Sequence, residues 1–173
     1  MVERNKSRHS AGRILLVATM VCGWPLHALA AECRTLPTVK NSGVADNNTG
    51  SGGHLTQHIL GKRPPAQPAS GQAGKTLYTS PEAYLGVWRN YESKEGIPSL
   101  NCSGTSAYHE VPVNKVLGSG VDLIGAFSCD STNADGTCKD KRRTQCDKLA
   151  FGFVLSPQGQ WILNTSFPVN CKS

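Results

Sequence analysis

Six of the chain's seven cysteines lie beyond residue 30, at Cys33, Cys102, Cys129, Cys138, Cys146 and Cys171. The segment before them decides how they are read. It carries Arg4, Lys6, Arg8 and Arg13, continues into the apolar run "ILLVATMVCGWPLHALA", and ends on the small-residue motif Ala28-Leu29-Ala30. That is the pattern of a secretory signal peptide cleaved between Ala30 and Ala31. Export removes Cys22 and leaves an even number of thiols facing an oxidising compartment, so three disulfides are expected. No Cys-x-x-Cys pair occurs, which argues against a zinc module. The irregular spacing leaves the pairing open.

A mature chain of residues 31–173 is long enough for one domain with a sizeable core. It contains no second apolar run able to span a bilayer. Val21 and Glu32 precede the first two cysteines where a lipid-anchored protein needs a small residue. The expectation is therefore a secreted or periplasmic monomer without a membrane anchor. The formal charge of +6 drops to +3 once the leader's four basic residues and Glu3 are set aside. Overall charge then says little about partners, whereas "KDKRR", Lys139 to Arg143, concentrates positive charge where an anionic partner such as RNA could dock.

Turn residues and periodicity give the organisation. Residues 31–50 are polar and rich in Asn, Gly and Ser, and read as an extended lead-in to a body over 51–173. "SGGHLTQHILGKR", Ser51 to Arg63, reads as a short amphipathic helix ended by Gly61. Pro64, Pro65 and Pro68 make the next segment a loop. A better helix begins at "TSPEAYLGVWRNYES", where Ser80 can cap and Pro81 suits the first helical position. Beyond Gly96, "AYHEVPVNKVL" and "VDLIGAFSC" read as strands, Asp130 to Lys148 as a charged loop, and "LAFGFVLS" with "WILNTSFPV" as a terminal hairpin. Helices first and strands after predict an α+β domain, with N-terminal helices packed on an antiparallel β-sheet.

His54 and His58 are the chemically suggestive pair. In a helix they share a face at its polar rim. A metalloprotease zinc site would put Glu directly after the first histidine, where this chain has Leu55. No metal or other cofactor is expected. Acid/base work asks for an imidazole that accepts a proton, a group that donates one, and a cation near developing negative charge. His54, His58 or His109, with Lys62 or Arg63, contains that set. These parts suit metal-independent RNA cleavage by attack of the ribose 2′-OH, giving a 2′,3′-cyclic phosphate.

Gly-Gly-His at Gly52 to His54, a second histidine shortly after, and Gly61-Lys62 resemble the opening motif of the RNase A-like toxin domains of bacterial contact-dependent growth inhibition proteins. "KTLYTSPEAYLGVWRNY" and the closing "FGFVLSPQGQWILNTSFPV" are similar to that family's later helix and terminal hairpin, so the resemblance spans most of residues 52 to 168. It implies an RNase A-like fold and an endoribonuclease of toxin type. That this one is disulfide-stabilised and secreted rests on the cysteine count and the leader. The cysteine-bearing insertion from Cys102 to Cys146 lies outside the family's pattern and suggests adaptation to an oxidising compartment. His54 is implied as general base or acid and Thr165 as a phosphate contact. Phe167 keeps the ring of the family's tyrosine for base stacking but lacks its hydroxyl. Arg63 or Lys62 stands nearest to the family's arginine. "HILGK", His58 to Lys62, is also similar to an element of the EndoU-like RNases, which implies the same reaction class. A toxin further implies an acidic immunity or inhibitor protein as partner. The rival reading is a non-catalytic exported binding or inhibitor module, rigidified by its disulfides.

Overall fold

The computed structural model describes residues 31–66 and 71–172. The signal peptide expected over residues 1–30 lies outside them. Among the described residues there are four α-helices, α1 (Pro37–Ser42), α2 (Ala45–Asn48), α3 (Pro81–Ser93) and α4 (Val113–Leu117). Five strands accompany them, β1 (Thr76–Tyr78), β2 (Ser106–Pro112), β3 (Ile124–Thr132), β4 (Cys138–Leu155) and β5 (Trp161–Lys172). The result is a mixed α+β chain built on one antiparallel sheet. β4 is its spine: residues 138–146 pair with β3, residues 148–154 with β2, and residues 145–155 with β5. β1 continues the sheet from β3.

Alternation along β4 separates two faces. Leu149, Phe151 and Phe153 point into the main core and meet α3, whose Tyr91 ring stacks on Phe151 at 3.6 Å between centroids. Trp88, Tyr84 and Val87 complete the buried side of that helix. Ser80 caps it by accepting from the Ala83 amide, and Pro81 occupies its first turn. Lys148, Ala150 and Gly152 point to the opposite face.

The six cysteines form three disulfides, Cys33–Cys102, Cys129–Cys138 and Cys146–Cys171. The first ties the segment before α1 to the segment before β2. The second closes the β3–β4 hairpin, and the third joins β4 to β5. Among the described residues, no helix is long and apolar enough to cross a membrane.

Three local expectations differ from the folded chain. The lead-in is not extended, because α1 and α2 run along the outer edge of β5. There Ser42 Oγ accepts from the Leu163 amide, Asn48 Nδ2 donates to the Leu163 carbonyl and Thr38 Oγ1 donates to the Trp161 carbonyl. Side chains thus satisfy a strand edge that would otherwise offer unpaired backbone groups. The charged stretch from Asp130 to Lys148 is largely strand, with only residues 133–137 left as the turn. Finally, the last part of "AYHEVPVNKVL" leaves the sheet at Pro112 and winds into α4, burying Val113 and Val116.

Candidate active site

"SGGHLTQH" does not form an α-helix. It forms a single 3-10 turn, Leu55–His58, with His54 at its N-terminal boundary. Asn48 fixes the approach: its Oδ1 accepts from the Leu55 amide, while Nδ2 donates to the carbonyls of Ser42 and Leu163. A Cβ on Gly53 would lie 2.4 Å from that Oδ1, so only glycine lets the chain pass. Gln72, fully buried, holds the far end by donating to the carbonyls of Thr56, Ile59 and Lys62. The two histidines are thereby anchored at both ends of a short, rigid turn.

The strand beneath contributes its own irregularity. Gly152 pairs with Thr165 and Phe153 with Leu163, so Asn164 is the extra residue of a β-bulge. Leu163 faces the main core. Without the bulge Thr165 and Phe167 would share that side; with it they turn to the opposite face, beside Gly152 and Ala150. The Asn164 carbonyl accepts from the His54 amide, and the Asn164 side chain hydrogen-bonds the His54 ring. Phe167 stacks on the His58 ring at 4.5 Å and 20° between planes. Gly152 makes room for Thr165, whose Cγ2 would stand 3.1 Å from an added Cβ.

The imidazole centroids of His54 and His58 are 6.4 Å apart. His58 Nδ1 lies 2.9 Å from the Thr76 carbonyl, which can only accept. The neutral ring must therefore carry its proton on Nδ1 and its lone pair on Nε2. Burial pushes the His58 pKa down to about 4, against the upward pull of that hydrogen bond and with help from the nearby charges of His54 and Lys75. His54 is half-buried and also lowered, by burial first and then by Lys75, while the Asn164 hydrogen bond pulls it back up. His58 is thus held neutral, and His54 is the easier of the two to protonate.

Thr165 adds an unusual group. Its Oγ1 is buried and has no hydrogen-bond partner among the described residues, a state it shares with Thr56 Oγ1. A buried hydroxyl left unpaired costs about 1–3 kcal/mol, so native proteins seldom retain one.

The other expected residues lie elsewhere. Lys62 pairs with Asp46. Arg63 lies within electrostatic reach of Asp135. His109 shares the Phe151 face of β2 and lies 2.8 Å, through Nδ1, from the Tyr91 hydroxyl. The sheet therefore separates it from Thr165 and Phe167. The cation whose charge reaches both site histidines is Lys75, just before β1. Neither Lys75 nor Asn164 is announced by the sequence; only the downstream position of Lys75, one residue before the strand that binds His58, connects it to the pair. Among the described residues, no group of three or more His, Cys, Asp or Glu is placed to hold a metal ion.

Comparison with known protein families, characterised proteins and solved structures finds no match for this chain.

Proposed function

We propose that the chain is an exported, metal-independent endoribonuclease whose chemistry is carried by His54 and His58. His58 Nε2 accepts the ribose 2′-OH proton, and the 2′ oxygen forms a bond to the adjacent phosphorus. The bond from phosphorus to the 5′ oxygen breaks as protonated His54 delivers a proton to that oxygen. The products are a 2′,3′-cyclic phosphate and a free 5′-OH. Lys75 and the Thr165 hydroxyl stabilise the negative phosphorane, the role expected from the sequence for Lys62 and Arg63. Phe167 offers its ring to the neighbouring base, and its stacking on His58 also orients the base catalyst.

The observation that carries this reading is the paired asymmetry of the histidines. One is fixed as the Nδ1–H tautomer with a low pKa. The other is partly accessible and held by a side chain that favours its charged form. General base and general acid need that division. The antiparallel sheet of the α+β fold and the three disulfides are compatible with an RNase A-like fold and an oxidising compartment. On this reading the enzyme is of toxin type, with an acidic inhibitor as its partner.

The test uses purified oxidised protein and single-stranded RNA in EDTA. The expected products carry 2′,3′-cyclic phosphate ends, and an RNA with 2′-O-methyl groups throughout stays intact. Folded protein that leaves the unmodified RNA whole overturns the proposal.

A further inference from the structure

A large cleft lies away from the histidines. Its volume is about 780 Å³, and it is bounded by Leu123, Gly125 and Phe127 of the β3 region and by Arg143 and Lys172 of β4 and β5. Lys141 Nζ and Arg143 Cζ stand 5.7 and 6.0 Å from the centroid of the half-buried Phe127 ring. Leu123 is 49% exposed at its mouth.

The charges around this cleft are unevenly satisfied. Asp130 is held by Arg142 through two hydrogen bonds, Asp147 is held by Asn170, and Asp140 accepts from Ser131. Lys141, Arg143 and Lys172 make no ion pair among the described residues. Of these acids only Asp130 is neutralised by an ion pair. Asp147 lines the cleft with its charge intact, so Arg143 and Lys172 leave the lining net positive by one, and Lys141 adds a further cation beside Phe127. A concave site of this volume suits a small or linear ligand rather than a flat protein face. Free cations spaced along a strand beside an aromatic ring match alternating phosphates and bases in a single strand.

Position links the cleft to the candidate active site. Thr79 lines the cleft, and Thr76, three residues earlier, binds His58. At about 3.3 Å per residue, roughly 10 Å of chain separates the two points. The cleft and the histidine turn thus border the same short strand, β1.

We propose that this cleft is a second nucleic-acid contact, which grips single-stranded RNA beyond the scissile phosphate. The idea rests on the ribonuclease reading for its substrate, yet it is tested by binding alone. Fully 2′-O-methylated oligonucleotides of about two and eight residues, which the 2′-OH mechanism cannot cleave, are titrated into the oxidised mature chain by fluorescence anisotropy. The octamer should bind at least about tenfold tighter than the dimer. Arg143→Gln with Lys172→Gln should erase most of that ratio and lower the salt slope by about 1.4, two cations at about 0.7 each. Phe127→Leu, which preserves apolar volume, should weaken octamer binding about fivefold through lost stacking. An octamer affinity unmoved by these three substitutions overturns the proposal even if RNA is cleaved. Cleft-dependent octamer binding without any cleavage would leave it standing and overturn the ribonuclease reading instead.

Discussion

His58 and His109 are both shifted downward in pKa by burial, yet they occupy opposite faces of one sheet and different kinds of surroundings. His109, only half-buried, meets the Tyr91 hydroxyl on the α3 side of the sheet, within reach of the Arg34 charge. It serves the fold as a polar joint. His58 lies against a second histidine, within reach of a lysine, and stacks on the strand that also presents Thr165, whose buried hydroxyl is unpaired. A depressed imidazole alone is therefore weak evidence of chemistry. The informative feature is the company the imidazole keeps: a second histidine, a lysine charge and a stacked ring on one face of the sheet.

The contrast between the two histidines can be broken in several ways. Replacing His58 with Ala should lower kcat/KM on RNA by about 10³-fold, within the range for removing a general base. His109→Phe, which fills the same space, should leave kcat/KM within about threefold of wild type, since it removes only a part-buried hydrogen bond on the other face of the sheet. Thr165→Val removes only the hydroxyl; kcat/KM should fall about tenfold while the melting temperature stays level or rises, since the unpaired oxygen is gone. A melting temperature that falls instead would mark Thr165 as a structural residue.

Acidity sharpens the same contrast. A rate that needs neutral His58 falls as pH drops through about 4. A rate that needs protonated His54 falls as pH rises past that group's lowered pKa. The kcat/KM profile should therefore be a bell with its maximum below about pH 6.5. Stability moves too. An unfolded His58 titrates near 6.5 and the folded one near 4, so the unfolded state binds more protons between those values. The fold should lose about 3 kcal/mol of stability on acidification through that window from this group. Guanidinium unfolding at a series of pH values would read it, and His58→Phe should flatten the slope.

The smallest effect expected concerns His109 itself. His109→Phe breaks one hydrogen bond to Tyr91 and should cost about 1 kcal/mol, read as a lower melting temperature without a change in products.

Much of the fold was legible because it rested on local rules. Ser80 and Pro81 marked the start of α3, and the apolar alternation around "PQGQ" marked the terminal hairpin. The even cysteine count gave the number of bridges. The features that escaped depended on distant partners. α1 and α2 form in a polar, helix-poor segment because Ser42 and Asn48 bind the edge of β5. The charged stretch after Asp130 became strand because cross-strand pairing and the Cys129–Cys138 bridge outweighed its polarity.

The site was half legible. His54, His58, Thr165 and Phe167 stood out by type and order, but a single bulge at Asn164 decides which face the last two occupy. No periodicity count reveals a bulge. Lys75 lay in an unremarkable Gly-Lys-Thr sequence, and its importance comes from the pairing of β1 with β3 and from His58 reaching the Thr76 carbonyl.

The most direct test compares wild type, His58→Ala and His109→Phe on one single-stranded RNA in EDTA, with product ends analysed. Wild type and His109→Phe should both yield 2′,3′-cyclic phosphate ends at similar rates, and His58→Ala should yield none on the same timescale. Cleavage that survives in His58→Ala, or disappears in a folded His109→Phe, would contradict the assignment of the chemistry to the His54–His58 face.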